Sequence, residues 1–308
     1  MTVGHELTLR VGDEVLTVAD RPLIMGIINA TPDSFSDAGL YDTLDARRQL
    51  ARKLVADGAD LIDIGGQSGI TGTPEIDAAE EIERVVELIE YVAGELGALV
   101  SVDTYKPQVA RAAIAAGARI VNDVSGLRQP ELADVCAETG AGLVIMHNRS
   151  APKQRLTESD LYGDDGPVAD VLRFLAERMS QAEDRGVTRE ALILDPGLDF
   201  SKTPSQTVEV LRAIELLKPF GRPVLLAISR KDFLGAITSR PPRDRLAGTL
   251  ATLQHLAGRV PAIVRVHDVA AARDFLDVLA VLEGDRGVSP DARLLSKLRR
   301  AAPIGKPA

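Results

Sequence analysis

Acidic, amide and cationic side chains recur along this chain at one kind of place, the end of a short apolar run. The first such run ends in Asn29-Ala30-Thr31-Pro32-Asp33-Ser34-Phe35-Ser36-Asp37. Later ones end in Asp63, Asp103, Asn122-Asp123, Met146-His147-Asn148-Arg149, Asp195, Ser229-Arg230-Lys231 and Arg265-Val266-His267-Asp268. Asp63, Asp103, Asn122, Asp123 and Asp195 would line a mouth with acceptors and amides, the complement of the N–H edge of a flat heterocycle. Lys231, Arg265 and His267 are cationic or potentially so, and Ser229-Arg230-Lys231 opens a helix whose free N–H groups add to the attraction for an anion. Together the two groups suit a neutral, nitrogen-rich ring that carries a phosphate or pyrophosphate. Asp and Asn also cap helices, which accounts for one or two of these positions but not for eight of them, nor for the cations.

The elements that would bring these residues together follow from the apolar runs at 23–28, 61–64, 99–102, 120–121, 143–146, 192–194, 224–228 and 263–266. They lack the polar alternation of a sheet with one wet face, so they read as strands covered on both sides, hence as a parallel sheet. Their spacing is about that of a βαβ unit, and helical periodicity fills the gaps. In 79–96 the apolar Ile82, Val85, Val86, Ile89 and Val92 share one face, and Glu80, Glu81, Glu83, Glu87 and Glu90 populate the other. Similar patterns mark 46–55, 108–116, 168–182, 207–217, 245–257 and 270–282. Eight strand–helix units predict an α/β fold, a (β/α)8 TIM barrel, over a doubly wound open sheet, and such a barrel works at the C-terminal ends of its strands. Ahead of it, Gly12-Asp13-Glu14 between two short apolar stretches predicts a β-hairpin that plugs the barrel's bottom. The expected organisation is a hairpin extension at 1–20, a barrel at 21–283, and a tail at 284–308, partly helical or disordered.

Composition narrows the function. The chain has 308 residues, 45% of them hydrophobic and 26% charged, enough to bury a sizeable core. With 36 Lys and Arg against 45 Asp and Glu, the net charge of −9 has the wrong sign for a nucleic-acid partner. Residues 1–10 lack a basic segment followed by an apolar one, and no window approaches the roughly 18 apolar residues of a membrane span. A soluble, cytoplasmic protein is expected. The single cysteine, Cys136, cannot form an internal disulfide and reads as buried filler in a helix. His5 and His255 read as surface or helix residues, Arg52 and Lys53 as a solvated helix face, and His147 as either a site neighbour or a satisfied core histidine.

The strand-end residues also carry a family resemblance. Gly26-Ile27-Ile28-Asn29-Ala30-Thr31-Pro32-Asp33-Ser34-Phe35-Ser36-Asp37 resembles the first signature of the dihydropteroate synthases. Val102-Asp103-Thr104-Tyr105-Lys106, Val121-Asn122-Asp123-Val124-Ser125-Gly126, Leu194-Asp195-Pro196-Gly197, Ser229-Arg230-Lys231 and Arg265-Val266-His267-Asp268-Val269 follow in the family's order, over about residues 20–282. The resemblance implies a transferase of folate biosynthesis that joins 6-hydroxymethyl-7,8-dihydropterin pyrophosphate to p-aminobenzoate, giving dihydropteroate and pyrophosphate. It implies that Asp103, Asn122, Asp195 and Lys231 bind the pterin, with Met146 and Phe200 packed near its ring. It further implies that Asn29, Arg265 and His267 hold the pyrophosphate, that Asn29 ligates Mg²⁺, and that a mobile loop bearing Thr31, Asp33 and Phe35 closes over the site. A homodimer built through the later helices is implied as well.

Two departures fall on the p-aminobenzoate side. The family usually reads Gly-Gly-Glu-Ser-Thr-Arg-Pro-Gly after the second strand, where this chain has Gly65-Gly66-Gln67-Ser68-Gly69-Ile70-Thr71-Gly72. The family often places Ser after Ser-Arg-Lys, where this chain has Asp232, whose carboxylate would repel another brought close to it. The competing expectations are a paralogue that uses another amine acceptor and a pterin-binding methyltransferase-type domain. The latter has no need of a pyrophosphate clamp, so Lys231, Arg265 and His267 together speak against it. A non-catalytic barrel would not be expected to keep polar groups at every strand end.

Overall fold

A computed structural model describes residues 6–30, 43–67, 74–151, 154 and 162–293. Strands β1 (Leu7–Val11) and β2 (Glu14–Val18) form an antiparallel hairpin in which Val11 faces Glu14 and Leu7 faces Val18. Gly12 takes the first position of the connecting turn at φ 62°, the left-handed geometry whose twist matches that of the strands it joins.

The remaining described strands are β3 (Leu23–Asn29), β4 (Leu61–Gly65), β5 (Leu99–Asp103), β6 (Ile120–Asp123), β7 (Gly142–Met146), β8 (Leu192–Asp195), β9 (Val224–Ala227) and β10 (Ala262–Val266). They pair in parallel and in chain order, and β10 returns to pair with β3, so the sheet is a closed barrel. Every residue of β7 is buried, as its unbroken apolar sequence requires of a strand covered on both faces, and β4 is buried throughout with Asp63 as its one charged residue. Helices α1 (Leu44–Ala56), α2 (Ala78–Glu90), α3 (Pro107–Ala115), α4 (Glu131–Thr139), α5 (Gly166–Asp184), α6 (Pro204–Arg212), α7 (Asp232–Thr238), α8 (Leu246–Leu256) and α9 (Val269–Leu282) follow them, one after each strand except β9, which α7 and α8 both follow. The TIM barrel and the N-terminal hairpin are those the apolar pattern predicts.

Local chemistry sets the helix ends. Thr43 and Asp77 accept the Ala46 and Glu80 N–H groups at 3.2 and 2.8 Å, and Thr203 with Gln206 forms a reciprocal capping box at the start of α6. The helix expected over 207–217 stops at Arg212, and the chain tightens into a 3₁₀ segment, Ile214–Phe220. Pro219 lies inside that segment, where an α-helical backbone would set its ring against the Glu215 carbonyl. The helix expected over 79–96 likewise ends α2 at Glu90 and widens into a π turn, Tyr91–Glu95.

The hairpin closes the base of the barrel. Leu9, Val11 and Val18 pack in one buried cluster with Met25, Leu61, Ile120, Val144, Ile193, Leu225 and Ile263, drawn from every barrel strand but β5, whose Leu99 packs alongside. The chain divides into two compact units, Met1–Arg273 and Asp274–Ala308. In the second, Arg286 pairs with Asp277 at 3.2 Å. The expected tail at 284–308 is described only as far as residue 293. Because Leu9 is fully buried in the base, Leu9→Ala should cost about 2–5 kcal/mol of unfolding free energy, read as a lower urea midpoint at unchanged slope.

Candidate active site

Parallel closure puts the C-terminal ends of all eight barrel strands on one rim, and the register then decides which side chains meet. Asp103 on β5 stands opposite Asn122 on β6, and Met146 on β7 opposite Asp195 on β8. A cavity of about 160 Å³ opens there, lined by Asn29, Asp103, Asn122, Met146, Asp195, Phe200, Lys231 and Arg265 among others. Of the expected pterin and pyrophosphate residues only His267 is not on its wall. The His267 imidazole turns to Ser229, with Nδ1 2.9 Å from Oγ, and burial followed by the neighbouring arginines holds its pKa down to about 3. Thr31, Asp33 and Phe35, and the divergent Gly69 and Ile70, lie outside the described residues.

The cavity floor is an ion cluster. Arg265 donates through Nε to Asp63 Oδ2 at 2.6 Å and through Nη2 to Asp103 Oδ2 at 3.2 Å, and Asn122 Nδ2 donates to the same Asp63 oxygen at 3.2 Å. Asp63 is fully buried, so it needs such a counter-charge. Arg265, expected beside Lys231 and His267, is thus anchored among the carboxylates. Burial, then the charge of Asp63, pushes the Asp103 carboxyl up to about 7 against the opposing pull of Arg265. Asp195 is pushed up to about 6 by burial, opposed by the Gly197 N–H and by Lys231. Asn122 Oδ1 and Asp63 Oδ1 are buried without a hydrogen bond from the described residues, so acceptor capacity is left at the site.

Lys231 precedes α7 and turns back over the turn that follows β8. Its Nζ donates to Leu198 O at 2.9 Å and lies 4.6 Å from the centre of the Phe200 ring, within cation–π range. Burial lowers its pKa, against the attraction of Asp199 and Asp195. The Asp232 N–H donates to Asp199 Oδ2 at 2.5 Å. The Asp232 carboxylate does not face the cavity unpaired, because Arg245 Nη1 lies 3.0 Å from its Oδ1 and also donates to Arg230 O and Lys231 O at 2.9 and 3.1 Å. Gln67 is the described residue of the divergent loop that lines the cavity. It donates through Nε2 to Tyr105 Oη at 2.6 Å and accepts from Lys106 Nζ at 3.1 Å, while Lys106 pairs with buried Glu81 at 2.8 Å.

Sequence patterning alone misses three residues that brace this wall. Arg245 fixes the start of α7, and Lys202 and Asp170 hold His147, which is fully buried. His147 is thus a hydrogen-bonded interior histidine next to the site. Cys136 is buried in α4, as expected.

A barrel whose rim combines two buried carboxylates, an amide, a lysine and an arginine belongs with the pterin-binding enzymes, and the family model described as pterin binding enzyme matches residues 25–267. The dihydropteroate synthase of Bacillus subtilis is 41% identical over 269 residues, spanning 87% of this chain and 91% of its own, and that of Escherichia coli is 35% identical over 272 residues, 88% and 94% of the two chains. The Xanthomonas albilineans dihydropteroate synthase with 4-aminobenzoic acid superposes with a TM-score of 0.81 at 40% identity, over 90% of this chain and 99% of that one. The same enzyme in complex with 7,8-dihydropteroate gives 0.78 over 89% and 99%. The chain belongs to the dihydropteroate synthase family.

The raised Asp195 pKa has a consequence for stability. Between the ordinary 3.8 and about 6 the folded chain holds a proton that the unfolded chain has released, so wild-type stability falls as pH rises through that window and stays lower above it. Asp195→Asn removes that charge. It should gain about 1–3 kcal/mol over wild type near pH 8 and almost nothing near pH 4, measured by urea unfolding at both. An equal difference at the two pH values would show that the charge is not the cause.

Proposed function

We propose that this chain condenses 6-hydroxymethyl-7,8-dihydropterin pyrophosphate with p-aminobenzoate, releasing pyrophosphate and dihydropteroate. The observation that carries the reading is the convergence of Asp103, Asn122 and Asp195 with Lys231, Phe200 and Arg265 on one cavity. A pterin's pyrimidine edge offers donors and acceptors side by side, and carboxyls raised toward neutrality beside an amide can serve both. Asp103, Asn122 and Asp195 would take that edge, with Lys231 reaching the ring carbonyl and Met146 and Phe200 against the ring face. Asn29, Arg265 and His267 would hold the pyrophosphate, His267 after turning from Ser229.

The reaction breaks the bond between the pterin methylene and the pyrophosphate oxygen, and the electron pair leaves with pyrophosphate. Cationic side chains at the rim stabilise the charge that develops there. The methylene cation is delocalised into the electron-rich ring, and the arylamine nitrogen attacks it and gives up a proton to solvent. No protein nucleophile is required. Loop 31–39, with Thr31, Asp33 and Phe35, would exclude water that would otherwise trap the cation.

Among the described residues no group of three His, Cys, Asp or Glu side chains could hold a metal by itself. Asn29 nevertheless puts a carboxamide on the cavity wall, and one protein oxygen with several from phosphates and water is a usual set for Mg²⁺. Mg²⁺ held there would act as a Lewis acid on the leaving pyrophosphate. The reading also takes the chain to be cytoplasmic, as expected from its sequence, and a homodimer, as the family resemblance implies. The described residues contain no helix long and apolar enough to cross a membrane.

The test is pyrophosphate release from the dihydropterin pyrophosphate with Mg²⁺, with and without p-aminobenzoate. Release that requires p-aminobenzoate and yields dihydropteroate is expected, and Lys231→Met should lower kcat/KM by about 10²–10³-fold. Release indifferent to p-aminobenzoate would overturn the acceptor assignment and leave a pterin site serving another amine.

A further inference from the structure

Against the cavity wall lies a chain of buried polar groups that no step above uses. Lys202 Nζ donates to Gly197 O at 2.8 Å and to Phe200 O at 3.1 Å, and it sits 2.8 Å from His147 Nδ1. Burial, against the attraction of Asp195 and Asp170, lowers the Lys202 pKa to about 7; in its protonated form the ammonium has three protons and no acceptor, so these three partners exhaust it and His147 then presents a bare Nδ1. The ring proton is then on Nε2, 2.9 Å from Asp170 Oδ2, while Arg173 holds the other Asp170 oxygen at 2.5 Å. Burial and the charge of Lys202 hold His147 down to about 4, which keeps the ring neutral in this arrangement.

What this chain grips is the turn after β8. Gly197 takes φ 65° and lies so close to β7 that a Cβ there would fall 1.9 Å from His147 O. Asp199 and Ser201 also stand in the left-handed region, at φ 64° and 52°, a conformation that side-chain-bearing residues rarely keep unless it is held. The same turn supplies both contacts that place Lys231, the Leu198 carbonyl and the Phe200 ring. Lys202 therefore ties down the two ends of the turn between which those contacts arise.

We infer that Lys202, backed by His147 and Asp170, is a positioning residue of the pterin half of the site: it sets where Phe200 and Lys231 stand and acts on pterin binding rather than on capture of the amine. The inference rests on the pterin site proposed above. Lys202→Met should fold, and it should raise KM for the dihydropterin pyrophosphate by about 10- to 100-fold while KM for p-aminobenzoate stays within about twofold, because displacing a contact group by about 1 Å has effects of that size. Calorimetric binding of 6-hydroxymethylpterin, which needs no turnover, should weaken by a similar factor. If Lys202→Met does not fold, Asp170→Asn, which keeps an acceptor for the Nε2–H but not the charge, should shift pterin binding in the same direction by less. Unchanged pterin binding in the folded variant, a loss confined to kcat, or equal rises in both KM values would overturn the inference. A wild-type protein that binds the pterin but makes no dihydropteroate overturns the synthase reading alone, and the Lys202→Met binding comparison then still decides this one.

Discussion

Arg265 stands on β10, the last strand of the barrel, and its guanidinium reaches carboxylates on β4 and β5 at 2.6 and 3.2 Å. The contact joins residues about 160 to 200 positions apart in sequence and exists only because β10 pairs with β3. Asp63 is wholly enclosed, and a charge taken out of water is tolerated only if a partner is supplied with it. Beside the pairing of Arg265 with Asp63, burial raises Asp103 and Asp195, to about 7 and about 6, on the wall of the cavity. A barrel left open between its first and last strands would lose the counter-charge and the tuned carboxyls together.

The two ends of the barrel solve opposite problems. At the base, an antiparallel hairpin brings Leu9, Val11 and Val18 into an apolar layer with no polar side chain, which stabilises the fold through burial alone. Toward the rim, the buried atoms Asn122 Oδ1 and Asp63 Oδ1 have no hydrogen-bond partner among the described residues, which works against stability. Unmet hydrogen-bonding capacity is what a ligand can exploit, so the end that lowers stability is the end that can bind. The rim tolerates this because the base does not depend on it.

Much of this was legible in the chain itself. Apolar runs at βαβ spacing are the signature of strands buried on both faces, and polar residues at or near their ends are the ones the structure places on the rim. Asp103, Asn122, Asp195, Lys231 and Arg265 could be found because strand ends are local features. The bracing residues were not legible for the opposite reason. His147 meets Asp170 across 23 residues and Lys202 across 55, and those pairings depend on how the turn after β8 folds back against β7 and α5. The rotation of His267 toward Ser229 is likewise set by tertiary packing and could not be read from the sequence.

The departures from the family pattern obey the same economy of hydrogen bonds. Lysine only donates, so the Gln67 oxygen must face Lys106 and its amide nitrogen must face Tyr105, whose hydroxyl in turn donates to Glu75 at 2.8 Å. A glutamate at position 67 would offer no donor to that hydroxyl and would set a second carboxylate beside Glu81 on Lys106. With glutamine Lys106 faces one carboxylate, Glu81. Asp232 is treated likewise: its added negative charge meets Arg245, which already binds the carbonyls at the start of α7 and so holds the carboxylate with a group fixed in place. Each exchange is absorbed by residues beside the cavity, and the wall formed by Asp103, Asn122, Asp195 and Lys231 is left as it was.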